Sequence, residues 1–140
     1  MDERILAHKV EREGRGWDSI EEETALCELL ASLQRYDTVL IDCLTLWVNN
    51  LMFSAERENR PFGDAQMRTE SSRLAQAIAA FPGTVCLVTN EVGLGIVPDN
   101  SLARKYRDLV GRCNTVLAKK ADEVILVSCG IPLTLKKTIS

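Results

Sequence analysis

The chain has 140 residues, 46% of them hydrophobic and 26% charged, with a formal net charge of −3. This is the composition of an ordinary globular domain without the basic excess that a nucleic-acid partner would require. Its apolar runs fall short of the roughly 18 to 20 residues a membrane span needs, and Met1-Asp2-Glu3 does not open a secretory signal, so a cytoplasmic location is expected. The length predicts a single domain over 1–140, able to bury about two-thirds of its unfolded surface. Five cysteines, Cys27, Cys43, Cys86, Cys113 and Cys129, form an odd set without a C-x-x-C pair. That pattern argues against a disulfide framework and a structural zinc site, and the thiols are expected to be reduced, with no metal ligands among them.

In chain order, residues 2–13 read as a helix stopping near Gly14 and Gly16, and 17–20 as a short edge strand. Residues 21–34 place Ala25, Leu26, Leu29, Leu30 and Leu33 at three-and-four spacing, one buried helical face. A strand follows over 38–42. Residues 44–53 are apolar nearly all round and predict a deeply buried helix; the charges, Pro61 and Gly63 of 56–63 predict a mobile loop. Residues 66–81 form an amphipathic helix with Leu74, Ala75, Ile78 and Ala79 on one side, ended by Pro82-Gly83. A second strand over 84–89 leads into a loop over 90–100. A long helix follows over 101–119, with Leu102, Tyr106, Leu109, Val110, Cys113, Val116 and Leu117 inward. A third strand covers 123–127, then Gly130-Ile131-Pro132 turns the chain into an extended piece over 133–136, with Pro132 suggesting an edge.

Runs of β-branched and aliphatic residues without alternation read as strands buried on both faces of a parallel sheet. The strands at 38–42, 84–89 and 123–127 are therefore expected to lie parallel in one sheet, with helices on both faces of a three-layer α/β domain. Ligands of such sheets bind at the carboxyl ends of the strands. There the first strand ends in Asp42 and the second in Asn90 and Glu91, which makes these three candidate site residues. The plainer alternative is that the acids cap the helices that follow.

His8 is the only histidine. A lone exposed histidine is usually incidental, but Lys9, Arg12 and Arg15 surround it with cations, which suits attack on a phosphate. The alternative is a basic helix face paired with Glu11 and Glu13.

Several segments resemble one family. They are Arg4-Ile5-x-x-His8-Lys9, Trp17 with Glu21, Leu40-Ile41-Asp42-Cys43-Leu44-Thr45-x-Trp47-Val48-x-Asn50-Leu51, Val88-Thr89-Asn90-Glu91-Val92-Gly93-x-Gly95-Ile96-Val97-Pro98, Arg104-x-Tyr106-Arg107-Asp108-x-x-Gly111-Arg112-x-Asn114, Ala121-Asp122-Glu123-Val124 and Gly130-Ile131-Pro132-Leu133. Together they resemble adenosylcobinamide kinase/adenosylcobinamide-phosphate guanylyltransferase, nearly end to end.

The resemblance implies a P-loop NTPase (RecA-like) fold and a bifunctional transferase of cobalamin biosynthesis. Such an enzyme phosphorylates the aminopropanol hydroxyl of adenosylcobinamide and then transfers GMP from GTP to that phosphate through a guanylylated histidine. By position, His8 matches that histidine, while Lys9, Val10, Glu11, Arg12 and Glu21 match nucleotide contacts. Asp42 matches a contact at the end of the strand resembling Walker B. The resemblance also implies GTP, with ATP possible for the kinase step, Mg2+, adenosylcobinamide and its phosphate as substrates, and a homo-oligomer, a trimer in the family. Some relatives carry Glu where Asp42 stands, and Ala7 replaces a second polar residue.

One departure is larger. The family opens with a strand and a glycine-rich phosphate loop, yet no G-x-x-x-x-G-K-[ST] occurs in these 140 residues. Gly93-x-Gly95 lacks the lysine and the helix N-terminus that hold phosphates. The chain is therefore expected to start some tens of residues late, with the first strands missing. The loss of phosphate positioning should leave weak kinase activity by itself, and a bare sheet edge would favour association. The alternative function is a catalytically silent, oligomer-forming subunit.

Overall fold

A computed structural model describes Val10 and residues 14–138. The helix expected over 2–13, apart from Val10, lies outside the described residues. The first described helix, α1, spans Leu26–Ser32 and starts later than its apolar spacing suggests. Glu22 Oε1 accepts from the backbone N–H groups of Thr24 (2.9 Å) and Ala25 (2.7 Å), holding the chain in a turn until Ala25. Residues 17–20 have no regular secondary structure, so the expected edge strand does not form.

Strand β1 spans Thr38–Asp42, followed by helices α2 (Leu44–Arg57) and α3 (Asp64–Ala80) and strand β2 (Thr84–Val88). α2 thus continues four residues beyond 53, and only 58–63 remain of the loop expected over 56–63. β1 and β2 pair in parallel, from Thr38 opposite Thr84 to Asp42 opposite Val88. The entry to β2 is tight, because Thr84 N–H donates to Asp37 O at 2.8 Å. A Cβ on Gly83 would stand 2.2 Å from that same oxygen, so no other residue fits.

After a 3-10 turn at Val92–Leu94, helix α4 (Ser101–Lys120) packs on α3 and α2, while α1 packs on α3. The core lies among these helices. Leu30, Leu44, Val48, Met67, Leu74, Val110 and Cys113 are fully buried there. Val39 and Ile41 of β1 and Val85 and Leu87 of β2 close it from the sheet side. α2 is less buried than its apolar sequence suggests, since Leu46 and Phe53 are exposed, as is Leu102 in the first turn of α4.

Strands β3 (Glu123–Ser128) and β4 (Ile131–Lys137) correct the expected single sheet, because they form a separate antiparallel pair. The turn explains it. Cys129 and Gly130 both adopt positive φ, 54° and 74°, the conformation of a two-residue hairpin turn that returns the chain at once along β3. A continuous apolar run suits a hairpin strand as well as a buried parallel one.

Among the described residues the helices cover one face of the β1–β2 pair. Its other face carries Leu40, Cys86 and Val88, all exposed. The hairpin is anchored to α4 by Lys136, whose Nζ donates to the carbonyls of Ala118 (3.1 Å), Lys119 (3.0 Å) and Ala121 (2.6 Å). A cation at a helix C-terminus meets the orphan carbonyls and the negative end of the dipole.

Candidate functional site

The parallel register sets Asp42 beside Val88 at the carboxyl end of both strands. Asn90 and Glu91 follow two and three residues later, at that same rim, and both are exposed. The fold therefore brings together the three polar residues that the strand ends singled out. The capping alternative divides between the two acids. The N-cap of α2 is Cys43, without a side-chain cap bond, so Asp42 is not the helix cap. Glu91 does cap, since its Oε1 accepts from Gly93 N–H at 3.1 Å in the 3-10 turn.

Glu21 lies in an exposed irregular stretch before α1. That stretch is tied to the first turns of α2, where Trp47 Nε1 donates to Thr24 O (3.0 Å) and Asn50 Nδ2 to Glu23 O (3.2 Å). The helix that begins next to Asp42 thus also holds the segment carrying Glu21. His8, Lys9, Glu11 and Arg12 lie outside the described residues, and Val10 is exposed.

The loop from Asn90 to Asn100 is held by side chains of α4 that donate to its backbone carbonyls. Asn114 Nδ2 reaches Asn90 O (3.2 Å), Arg107 Nη2 reaches Gly93 O (2.5 Å), and Arg104 Nη1 reaches Pro98 O (2.9 Å) and Asp99 O (2.6 Å). Thr89 Oγ1 donates to Asn114 Oδ1 at 2.7 Å, and Asn100 caps α4 by accepting from Ala103 N–H. Sequence reading gave Arg104, Arg107 and Asn114 no role. Their positions, three and then seven residues apart, form a polar stripe on one helical face, which was the available signal. Tyr106 points the other way, donating to Thr45 O at 3.1 Å, and burial pushes its phenol above the ordinary value.

Beside the loop, Gly93, Arg107, Asp108, Arg112 and Asp64 line an open cavity of about 560 Å³. Both arginines are engaged, Arg107 with the Gly93 carbonyl and Arg112 with Asp64. Among the described residues no three His, Cys, Asp or Glu side chains converge as a metal site. Mg2+ bound with nucleotide needs only one or two protein carboxylates besides phosphate oxygens and water. Asp42 and Glu91 meet that requirement in ligand type.

Residues 1–135 match the family model described as cobinamide kinase / cobinamide phosphate guanyltransferase. The chain belongs to that family. It is 43% identical to the bifunctional adenosylcobalamin biosynthesis protein CobU of Salmonella typhimurium and 39% identical to that of Escherichia coli, in each case over 97% of this chain and 78% of the relative. The bifunctional adenosylcobalamin biosynthesis protein CobP of Pseudomonas aeruginosa is 33% identical over 97% of this chain and 75% of its own length. Membership makes the chain a relative of nucleotide-using kinases and guanylyltransferases. The α/β architecture with its small parallel sheet accords with that family, and no described helix is long and apolar enough to cross a membrane.

Proposed function

We propose that this chain acts in cobalamin biosynthesis, phosphorylating adenosylcobinamide and transferring GMP from GTP to the resulting phosphate. The observation that carries this reading is the family match over residues 1–135, reinforced by the gathering of Asp42, Asn90 and Glu91 at one rim of the parallel pair. In this reading the neutral His8 imidazole attacks the α-phosphorus of GTP and pyrophosphate leaves. The acceptor's phosphate oxygen then attacks the phosphorus of the histidine-bound GMP, returning the imidazole and forming a new pyrophosphate link. Lys9, Val10, Glu11, Arg12 and Glu21 contact the nucleotide, and Asp42 with Glu91 would hold Mg2+, which neutralises phosphate charge. The same reading places the chain in the cytoplasm as one RecA-like, three-layer domain and as a homo-oligomer, with ATP or GTP serving the kinase step.

Incubation with GTP labelled in its α-phosphate, in the presence of Mg2+, tests the reading. Wild type should retain the label and His8→Ala should not. Equal labelling of both proteins excludes His8 as acceptor. Absence of label from both proteins overturns transfer through a guanylylated His8.

A further inference from the structure

A second concavity, about 560 Å³, runs between α2, the first turns of α4 and the connection at 60–62. Its walls are mostly apolar. Phe62 is nearly buried, but Phe53 and Leu102 are 54% and 62% exposed, so two large hydrophobic side chains from different helices stand open to solvent across one groove. Tyr106 and Asn49 line the end nearest the start of α2, and the Tyr106 hydroxyl is bonded to Thr45 O, three residues beyond Asp42. Asn100, where the loop from β2 ends, lines it as well. Both elements that leave the candidate rim therefore continue into walls of this groove.

Its polar groups are the neutral Asn49, Asn100 and Tyr106 and the charged Glu56, Arg60 and Lys105. Arg60 is engaged by Glu58 at 2.6 Å, and Glu56 adds one carboxylate to the lining. The Lys105 ammonium has no ion-pair or hydrogen-bond partner among the described residues. An apolar cleft with a few placed polar groups is the usual form of a small-molecule site. An unengaged ammonium at its edge suits a phosphate.

We infer that this groove takes the phosphorylated corrinoid acceptor, with Phe53 and Leu102 against the apolar edge of the corrin and Lys105 on the acceptor's phosphate. The inference rests on the function proposed above and adds to it the site of the acceptor. The volume is that of a drug-sized ligand, too small to enclose a corrin. The groove therefore grips the phosphorylated arm and the adjoining ring edge, and the remainder of the macrocycle projects outward. The arm then points along α2 toward the rim, where GMP would be delivered.

The test uses the full chain and three probes, cobinamide and cobinamide phosphate followed by corrin absorbance, and GTP followed by calorimetry. Phe53→Ser and Leu102→Ser should each weaken both corrinoids about tenfold, the effect of withdrawing one large apolar contact. Lys105→Gln should weaken cobinamide phosphate about fivefold and leave cobinamide unchanged. All three replace exposed side chains, circular dichroism checks their fold, and GTP affinity should stay at the wild-type value. Corrinoid affinities unaltered in all three variants would overturn the groove as acceptor site while leaving the proposed function standing. Wild type that binds GTP but neither corrinoid also overturns the groove. Wild type that binds neither GTP nor corrinoid overturns the proposed function along with it.

Discussion

The two strand pairs of this molecule are attached to the helices by different forces. The parallel pair β1–β2 is joined by hydrophobic contact, its inward residues Val39, Ile41, Val85 and Leu87 meeting a core that includes Leu30, Leu74 and Val110. The hairpin β3–β4 leaves Ile125, Val127, Ile131, Leu133 and Leu135 exposed and is anchored by the Lys136 ammonium on three carbonyls of α4 and the bend after it. Apolar burial accumulates over area, whereas one ammonium supplies a few hydrogen bonds. Opening free energies should therefore be high for β1–β2 and low for β3–β4. The candidate rim sits at the end of the better-secured pair, where positions can be held closely enough to serve chemistry.

The widest separation of the two regions is expected from paired truncations. Leu74→Ala removes a fully buried side chain from the helical core and should cost about 2–5 kcal/mol. Leu133→Ala, at a position 57% exposed, should cost about 1 kcal/mol or less. Urea unfolding of both variants measures the difference, and equal costs would break the comparison.

A pH dependence should mark the core in a second way. Burial pushes the Cys113 thiol from 9.0 up to about 11, opposed in part by the neighbouring buried Ser71 hydroxyl. With the folded value above the unfolded one, this contribution is fully present below pH 9.0 and is lost as pH rises through about 11. Two pH units correspond to about 2–3 kcal/mol. Unfolding titrations at pH 8 and pH 11 should show the stability difference between wild type and Cys113→Ala narrowing by that amount. A constant difference would mean that the thiol does not need to stay protonated in the core.

A more modest effect than those in the core concerns the anchor itself. Lys136→Met keeps the aliphatic stem but loses the ammonium from three carbonyls, at a cost of about 1.5 kcal/mol. In hydrogen exchange the amides of β3 and β4 should be released faster while those of β1 and β2 keep their protection. Uniform acceleration across both pairs would show that they open as one unit.

How much was legible in the sequence varies from element to element. β1, β2 and the long α4 were readable because apolar runs and helical spacing are local signals that depend only on neighbouring residues. α1 was shortened by a contact that spacing does not encode, the Glu22 carboxylate on two backbone amides. The exposure of Leu46, Phe53 and Leu102 was not legible either, because an apolar side chain states a preference for burial and not the presence of a neighbour. Asp42, Asn90 and Glu91 could be named in advance from their place at strand ends. The stripe of Arg104, Arg107 and Asn114 was visible as spacing, but its acceptors are backbone carbonyls of the 90–100 loop, which sequence does not identify.

By itself, then, the amino-acid sequence determined β1, β2 and the long α4, the resemblance to the family and the polar residues that follow the two strands, all of which depend on residue type and order. Tertiary structure alone decided that β3 turns back on β4 and does not extend the parallel pair, that Glu91 caps a turn whereas Asp42 does not cap α2, and that two helices leave an apolar groove beside the rim. The physical reason is common to all three. Each depends on which backbone donors and acceptors, or which apolar surfaces, meet in the folded chain, and residue type and order leave more than one such meeting open until the packings compete.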